Sequence, residues 1–150
     1  MRHLILCSVM WLCGLMMAAG QNVPQVIPAL QQWKSAKGKL VLPEKGKVII
    51  SPDEAKELKE GAEILVQDLK DMFGWDYRVV TGKKEKGAVC LALGKPDKTL
   101  GEEGYRMDVR SEVTIEAPTS KGVFWGTRTL LQMIHNQPEG LMKGRATDFP

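Results

Sequence analysis

The sequence predicts an α+β fold: a single, mostly antiparallel mixed sheet with two amphipathic helices packed on one face. Three observations carry this expectation. Ala55, Leu58, Ala62, Leu65, Val66, Leu69, Met72 and Phe73 recur in steps of three and four, the apolar stripe of a helix. A second stripe, Val123, Phe124, Thr127, Leu130, Leu131 and Ile134, follows nearer the end. Around both lie short β-branched runs bounded by glycine and proline, which read as strands. Strands that mostly neighbour in sequence, together with two one-sided helices, are accommodated by one sheet covered on one side.

Taken in order, residues 26–33 alternate imperfectly, 39–42 follow Gly38, and 47–50 follow the Pro43-Glu44-Lys45-Gly46 turn, giving three strands. Ser51-Pro52-Asp53-Glu54 then places a capping serine, a proline at the first helical position and a glutamate three residues after the cap. The helix so opened runs over 52–73, roughly 33 Å long at 1.5 Å per residue, and Gly74 stops it. Residues 77–81 form a strand and 82–86 its turn. Residues 88–93 are apolar throughout, as a central strand buried on both faces requires, and polar 94–104 is a loop. Residues 105–109 and 113–117 alternate strictly about Arg110-Ser111-Glu112, an antiparallel hairpin polar on one face. The second helix runs from a cap near Ser120 to about His135. Residues 136–144 are turn-rich, and 146–150 read as an exit linker.

The first twenty residues have no acid, a basic start at Arg2, an apolar stretch from Leu4 to Met17 and a small-residue close at Ala18-Ala19-Gly20. That order is a secretory signal, with cleavage expected after Gly20 and a retained anchor as the alternative. The apolar stretch is shorter than the roughly 20 residues a membrane span needs, so no stable span is expected after cleavage. The chain is therefore expected to be exported, to the periplasm or outside. Residues 21–145 are enough for one domain with a modest core. Loss of Arg2 lowers the formal charge from +3 to +2. Lys83-Lys84-Glu85-Lys86 is the densest basic patch, but an acid interrupts it in a turn. Nucleic-acid surfaces gather their charge on one face or helix, so no nucleic-acid partner is expected. Cys90 alone remains after cleavage, so no disulfide staples the domain, and its apolar run makes it a small buried side chain.

Chemistry-bearing patterns are mostly missing. His135 and Cys90 do not make a metal cluster, and no His-Glu-x-x-His is present. His135 is better placed as a charge-compatible end to the second helix. No Gly-x-Ser-x-Gly presents Ser111 or Ser120 as a nucleophile. Gly94-Lys95 lacks the upstream glycine and the following Ser/Thr of a phosphate loop. Glu102-Glu103 are consecutive before a strand, so they point apart. Asp53-Glu54 belong to a helix's first turn, where carboxylates oppose the dipole. Two carboxyls roughly 5–9.5 Å apart across a bound sugar are what glycoside hydrolysis usually needs. Trp33, Trp75 and Trp125 read as core or domain-contact side chains in preference to sugar platforms. No catalytic, cofactor-binding or metal-ligating residue is assigned, and no cofactor is implied.

One pattern is specific. Glu103-Gly104-Tyr105-Arg106-Met107-Asp108-Val109, then Val113-Thr114-Ile115-Glu116-Ala117, then Gly122-Val123-Phe124-Trp125-Gly126-Thr127-Arg128-Thr129-Leu130-Leu131-Gln132 follow one another. Together they resemble the N-terminal accessory domain of glycoside hydrolase family 20 β-N-acetylhexosaminidases, with Met107 where leucine is usual. Val26-Ile27-Pro28 resembles that family's opening segment, and the likeness spans most of residues 23–150. Gly122 and Gly126, four apart on one helical face, would let the second helix approach the sheet closely.

The resemblance implies a partner. In this family the domain leaves through an Asp-x-Pro segment, here Asp148-Phe149-Pro150, toward a (β/α)8 barrel that holds a catalytic Asp-Glu pair and binds the glycan. Asp53-Glu54 lie in a different setting, so no catalytic residue carries over. The expectation is thus a truncated, non-catalytic N-terminal domain of an exported exo-β-N-acetylhexosaminidase, acting on terminal β-linked N-acetylglucosamine or N-acetylgalactosamine through that barrel only and inactive by itself. The alternatives are the similar front domain of a family 84 β-N-acetylglucosaminidase or another glycosidase, or a free-standing secreted carbohydrate-binding or interaction module.

Overall fold

The computed structural model describes residues 23–149; the expected leader, 1–20, lies outside them. The chain runs through Gln32–Leu40 (β1), Lys45–Ile50 (β2), a 3-10 turn at Pro52–Glu54, Ala55–Phe73 (α1), Asp76–Thr81 (β3) and Val89–Leu93 (β4). It continues through Tyr105–Val109 (β5), Val113–Ala117 (β6), Ser120–Asn136 (α2) and Leu141–Asp148 (β7). One seven-stranded sheet results, ordered β1-β7-β5-β6-β4-β2-β3.

The sheet is mixed, as expected, and its pairings divide evenly. β1–β7, β7–β5 and β5–β6 are antiparallel, whereas β6–β4, β4–β2 and β2–β3 are parallel. The parallel half follows from the connections. α1 carries the chain back so that β3 starts beside the start of β2, and residues 82–88 then cross β2 to begin β4 on its other side.

Alternation sorts the strands into two faces. Val48 and Ile50 of β2, Val89 and Leu91 of β4, Met107 of β5 and Ile115 of β6 face the helices, where Leu58, Leu65 and Leu69 of α1 and Val123, Leu130 and Met133 of α2 complete the core. Ile49 and Cys90 point the other way and form a satellite cluster with Ala88. The 82–88 crossing covers them, its Glu85 paired with Lys47 at 2.7 Å. Cys90 is the small buried side chain expected, and burial pushes its thiol pKa up.

Local signals hold at most ends and fail at some. Gly74 stops α1 in a left-handed conformation (φ 71°), its N–H returning to Lys70 O at 2.9 Å. Ser51, however, makes no side-chain cap, and the first turn is 3-10 with its backbone bond from Glu54 N to Ser51 O. The cap of α2 is Thr119, whose Oγ1 accepts from Gly122 N at 3.1 Å. The strand expected over 26–33 begins only at Gln32, and residues 39–42 do not form a separate strand. β1 runs from Gln32 to Leu40 with a register shift between Ser35 and Lys39. Residues 141–148, expected as turn and exit, are strand β7, which enters the sheet between β1 and β5.

α2 lies close to the sheet because two side chains are missing from its inner face. A Cβ on Gly122 would stand 2.4 Å from Gly104 O and 2.8 Å from Ala117 Cβ; one on Gly126 would stand 2.4 Å from Ile115 Cγ2. Gly122→Ala is therefore expected to cost about 1–3 kcal/mol in urea unfolding, since a backbone oxygen cannot yield without moving the helix. Gly61→Ala is the matched control. A Cβ there meets nothing within 4 Å in the middle of α1, so it should add about 0.5–1 kcal/mol.

Candidate functional site

The resembling segments converge on one end of α2. Gln132 reads the backbone of Ile27 at both amide atoms: Ile27 N donates to Gln132 Oε1 at 2.8 Å and Gln132 Nε2 donates to Ile27 O at 2.9 Å. Asn136 Nδ2 donates to Gln25 O at 2.7 Å. The opening segment, which forms no strand before Gln32, is thus strapped along α2 by side chains that replace a strand partner. Gln31 Nε2 donates to Phe149 O, joining the strap to the end of β7. Beneath, buried Tyr105 Oη lies 2.6 Å from Thr129 Oγ1 and donates to Asp148 Oδ2 at 3.3 Å. Burial pushes the Tyr105 phenol well above its ordinary value, so it stays protonated.

These contacts wall a groove of about 440 Å3 whose floor and rim include Ile27, Pro28, Ala29, Trp125 and Phe149. Its charged side chains are engaged within the chain. Arg128 Nη1 pairs with Asp68 Oδ2 of α1 at 2.6 Å, and its guanidinium lies 4.6 Å from the Phe124 ring centroid. Glu103 is paired with Lys121. The groove's amides, hydroxyl groups and charges therefore hold the domain's own segments together, and what it offers outward is chiefly apolar surface.

A second concavity, about 700 Å3, lies on the uncovered face of the sheet. Arg106, Asp108, Glu116 and Arg145 line it, from the alternating polar positions of the β5–β6 hairpin and β7. Arg145 Nε donates to Asp108 Oδ1 at 2.7 Å, with Arg110 Nη2 3.7 Å from the same oxygen. Its acids Asp108, Glu112 and Glu116 sit among basic side chains on a half-exposed face. The hairpin's polar side was legible as alternation; the cationic partner from β7 was not.

The residues weighed in the sequence fall as follows. Asp53 is exposed and Glu54 half-buried in the 3-10 turn, on a different element from Glu102 and Glu103, so the structure does not join the two pairs. His135 is exposed at the end of α2. Trp33 is buried at 9% exposure, and Trp75 lies between Phe73 and Tyr77, with ring centroids 5.4 and 5.9 Å away. Trp125 departs from a core role: it is 44% exposed on α2, where it lines the groove. Its apolar identity gave no sign of that, because helical position and not residue type decides the face. Among the described residues, no group of three or more His, Cys, Asp and Glu side chains is arranged to hold a metal ion, and no helix is long and apolar enough to cross a membrane.

Comparison with known proteins places this geometry. Residues 23–149 match the sequence profile described as glycosyl hydrolase family 20, domain 2. Lacto-N-biosidase of Bifidobacterium bifidum is 28% identical over 129 residues, which are 85% of this chain and 11% of that protein. The β-N-acetylhexosaminidase of Streptomyces coelicolor A3(2) superposes with a TM-score of 0.60 at 25% identity, over 82% of this chain and 26% of that one. CpGH84D superposes with a TM-score of 0.67 at 13% identity, over 85% of this chain and 24% of its own, a likeness of fold alone. The chain thus spans a small part of each longer protein it matches.

Asp97, at the edge of the charged face, provides a titration marker. Its Oδ1 accepts from the Thr99 hydroxyl at 2.6 Å and the Thr99 N–H at 2.9 Å, and its other oxygen meets Arg106. The Thr99 hydroxyl, the Thr99 amide and then Arg106 hold its pKa down to about 2. A depressed carboxyl stabilises the fold above its ordinary range, near 3.9, and loses that contribution as pH falls toward about 2. Carboxyl NMR titration should place the Asp97 midpoint near the lower value, with Thr99→Ala and Arg106→Ala each raising it. An ordinary midpoint in the unsubstituted protein contradicts the network.

Proposed function

The chain belongs to the family described as glycosyl hydrolase family 20, domain 2, and from that premise we propose that it is the non-catalytic N-terminal domain of an exported exo-β-N-acetylhexosaminidase. The observation that carries this reading is the internal engagement of the polar groups at its most elaborate site. Gln132, Gln31, Tyr105, Thr129, Asp148 and Arg128 bond to the chain itself. A catalytic centre keeps polar groups aimed at a reacting atom; here they hold strap, helix and strand together.

The reaction belongs to a (β/α)8 barrel elsewhere in the longer protein, in keeping with the small share of its relatives that this chain spans. The substrate would be a glycan ending in β-linked N-acetylglucosamine or N-acetylgalactosamine, following the hexosaminidase among the matched structures. The domain supports that barrel or helps to position it. Export rests on the basic, apolar and small-residue order of residues 1–20.

The 150-residue chain is expected to release no nitrophenol from a chromogenic N-acetyl-β-glucosaminide, whereas the same segment joined to its barrel releases it. Turnover by the purified 150-residue chain overturns the non-catalytic role.

A further inference from the structure

If a barrel follows this domain, the direction in which the polypeptide leaves the sheet matters, and β7 carries it. β7 ends at Asp148, which pairs with Tyr105 at the start of β5. Tyr105 is 2% exposed, and Gly126 of α2 sits over its ring, where a Cβ would come within 3.1 Å of Tyr105 Cδ2. The phenol therefore cannot swing out to water. Among the described residues its oxygen meets only Thr129 Oγ1, at 2.6 Å, and Asp148 Oδ2, at 3.3 Å. Asp148 as a carboxylate only accepts, so the phenol gives its one proton to Asp148, and Thr129 must donate to the phenol oxygen. One buried hydroxyl thereby joins β5, α2 and β7. On the next residue the Phe149 carbonyl accepts from Gln31, so the exit is tied on both sides.

Apolar contacts alone let a strand end slide or splay, whereas a buried hydrogen-bond chain has one satisfied arrangement. Resting on the accessory-domain reading above, we infer that Tyr105, Thr129 and Asp148 form a latch that fixes the course of the chain out of the domain. Asp148 and Tyr105 are thus positioning residues for the domain that follows, acting through the strand end and touching no substrate.

The test is amide hydrogen exchange of residues 141–149 in the 150-residue chain. Tyr105→Phe removes a single oxygen and keeps the ring; it should raise exchange there about five- to tenfold, the population change that one lost buried hydrogen bond produces. Asp148→Leu, which takes away the phenol's acceptor, should also raise it, and the double variant should be no worse than Tyr105→Phe, because both substitutions break the Tyr105–Asp148 link. Asp148→Asn, which keeps an acceptor for the phenol, should stay close to the unsubstituted protein. Residues 55–73 of α1 should exchange unchanged throughout. Unaltered exchange at 141–149 in Tyr105→Phe, an equal rise across α1, or effects that multiply in the double variant overturn the latch. The accessory-domain reading fails separately, if the coding sequence beyond Pro150 lacks a barrel with an Asp-Glu pair, and the exchange result still decides the latch.

Discussion

The approach of α2 to the sheet governs the rest of the domain. With hydrogen in place of a side chain at Gly122 and Gly126, the helix rests on Gly104 O, Ala117 and Ile115. That closeness seats Val123, Leu130 and Met133 in the core and brings Thr129 within hydrogen-bonding distance of the Tyr105 phenol. It also sets Gln132 and Asn136 where they can receive the opening segment. Lift the helix by a methyl group and the packing, the buried hydroxyl pair and the strap are disturbed together. Close packing leaves no slack to absorb such a change locally.

The same constraint separates structural from chemical roles. Tyr105, Asp108, Thr129 and Gln132 of the family-like segments serve the joints between β5, α2, β7 and the strap. Arg128 does likewise between the two helices, its charge matched by Asp68, whose buried Oδ2 has this ion pair in place of a hydrogen bond. The outward side of α1 is mostly charged, with Lys56, Glu57, Lys59, Glu60 and Glu63 exposed, and apolar Trp125, Ile27 and Ile64 stand exposed among such groups. The opposite sheet face is charged and internally paired.

Much of this was legible in the sequence because it rests on local periodicity. α1, α2, the β5–β6 hairpin and the buried β4 all follow apolar spacing, and Gly74 marks its stop as written. β7 was not legible. Its buried positions include Gly144 and Ala146, which carry little apolar signal, because the Trp33 ring from β1 fills the space: a Cβ on Gly144 would lie 2.4 Å from Trp33 Cζ2. A bulge between Ser35 and Lys39 breaks the alternation of β1 in the same region. Residues 26–31 have a strand's composition, yet Gln132 on α2, more than a hundred positions away, takes up the backbone of Ile27. The parallel half of the sheet depends on where 82–88 crosses, which no local pattern records. The groove was invisible for the same reason: its walls come from opposite ends of the chain.

The groove's polar groups bond within the chain, so no sugar site is expected there. Trp125, half-exposed at its rim, reports directly on that. Titrating chitobiose into the protein while following tryptophan fluorescence, with Trp125→Phe as the reference, should give no saturable change. A saturable response that disappears in Trp125→Phe would mean that the groove binds glycan, and the separation drawn between fold-bearing and ligand-bearing residues would be wrong.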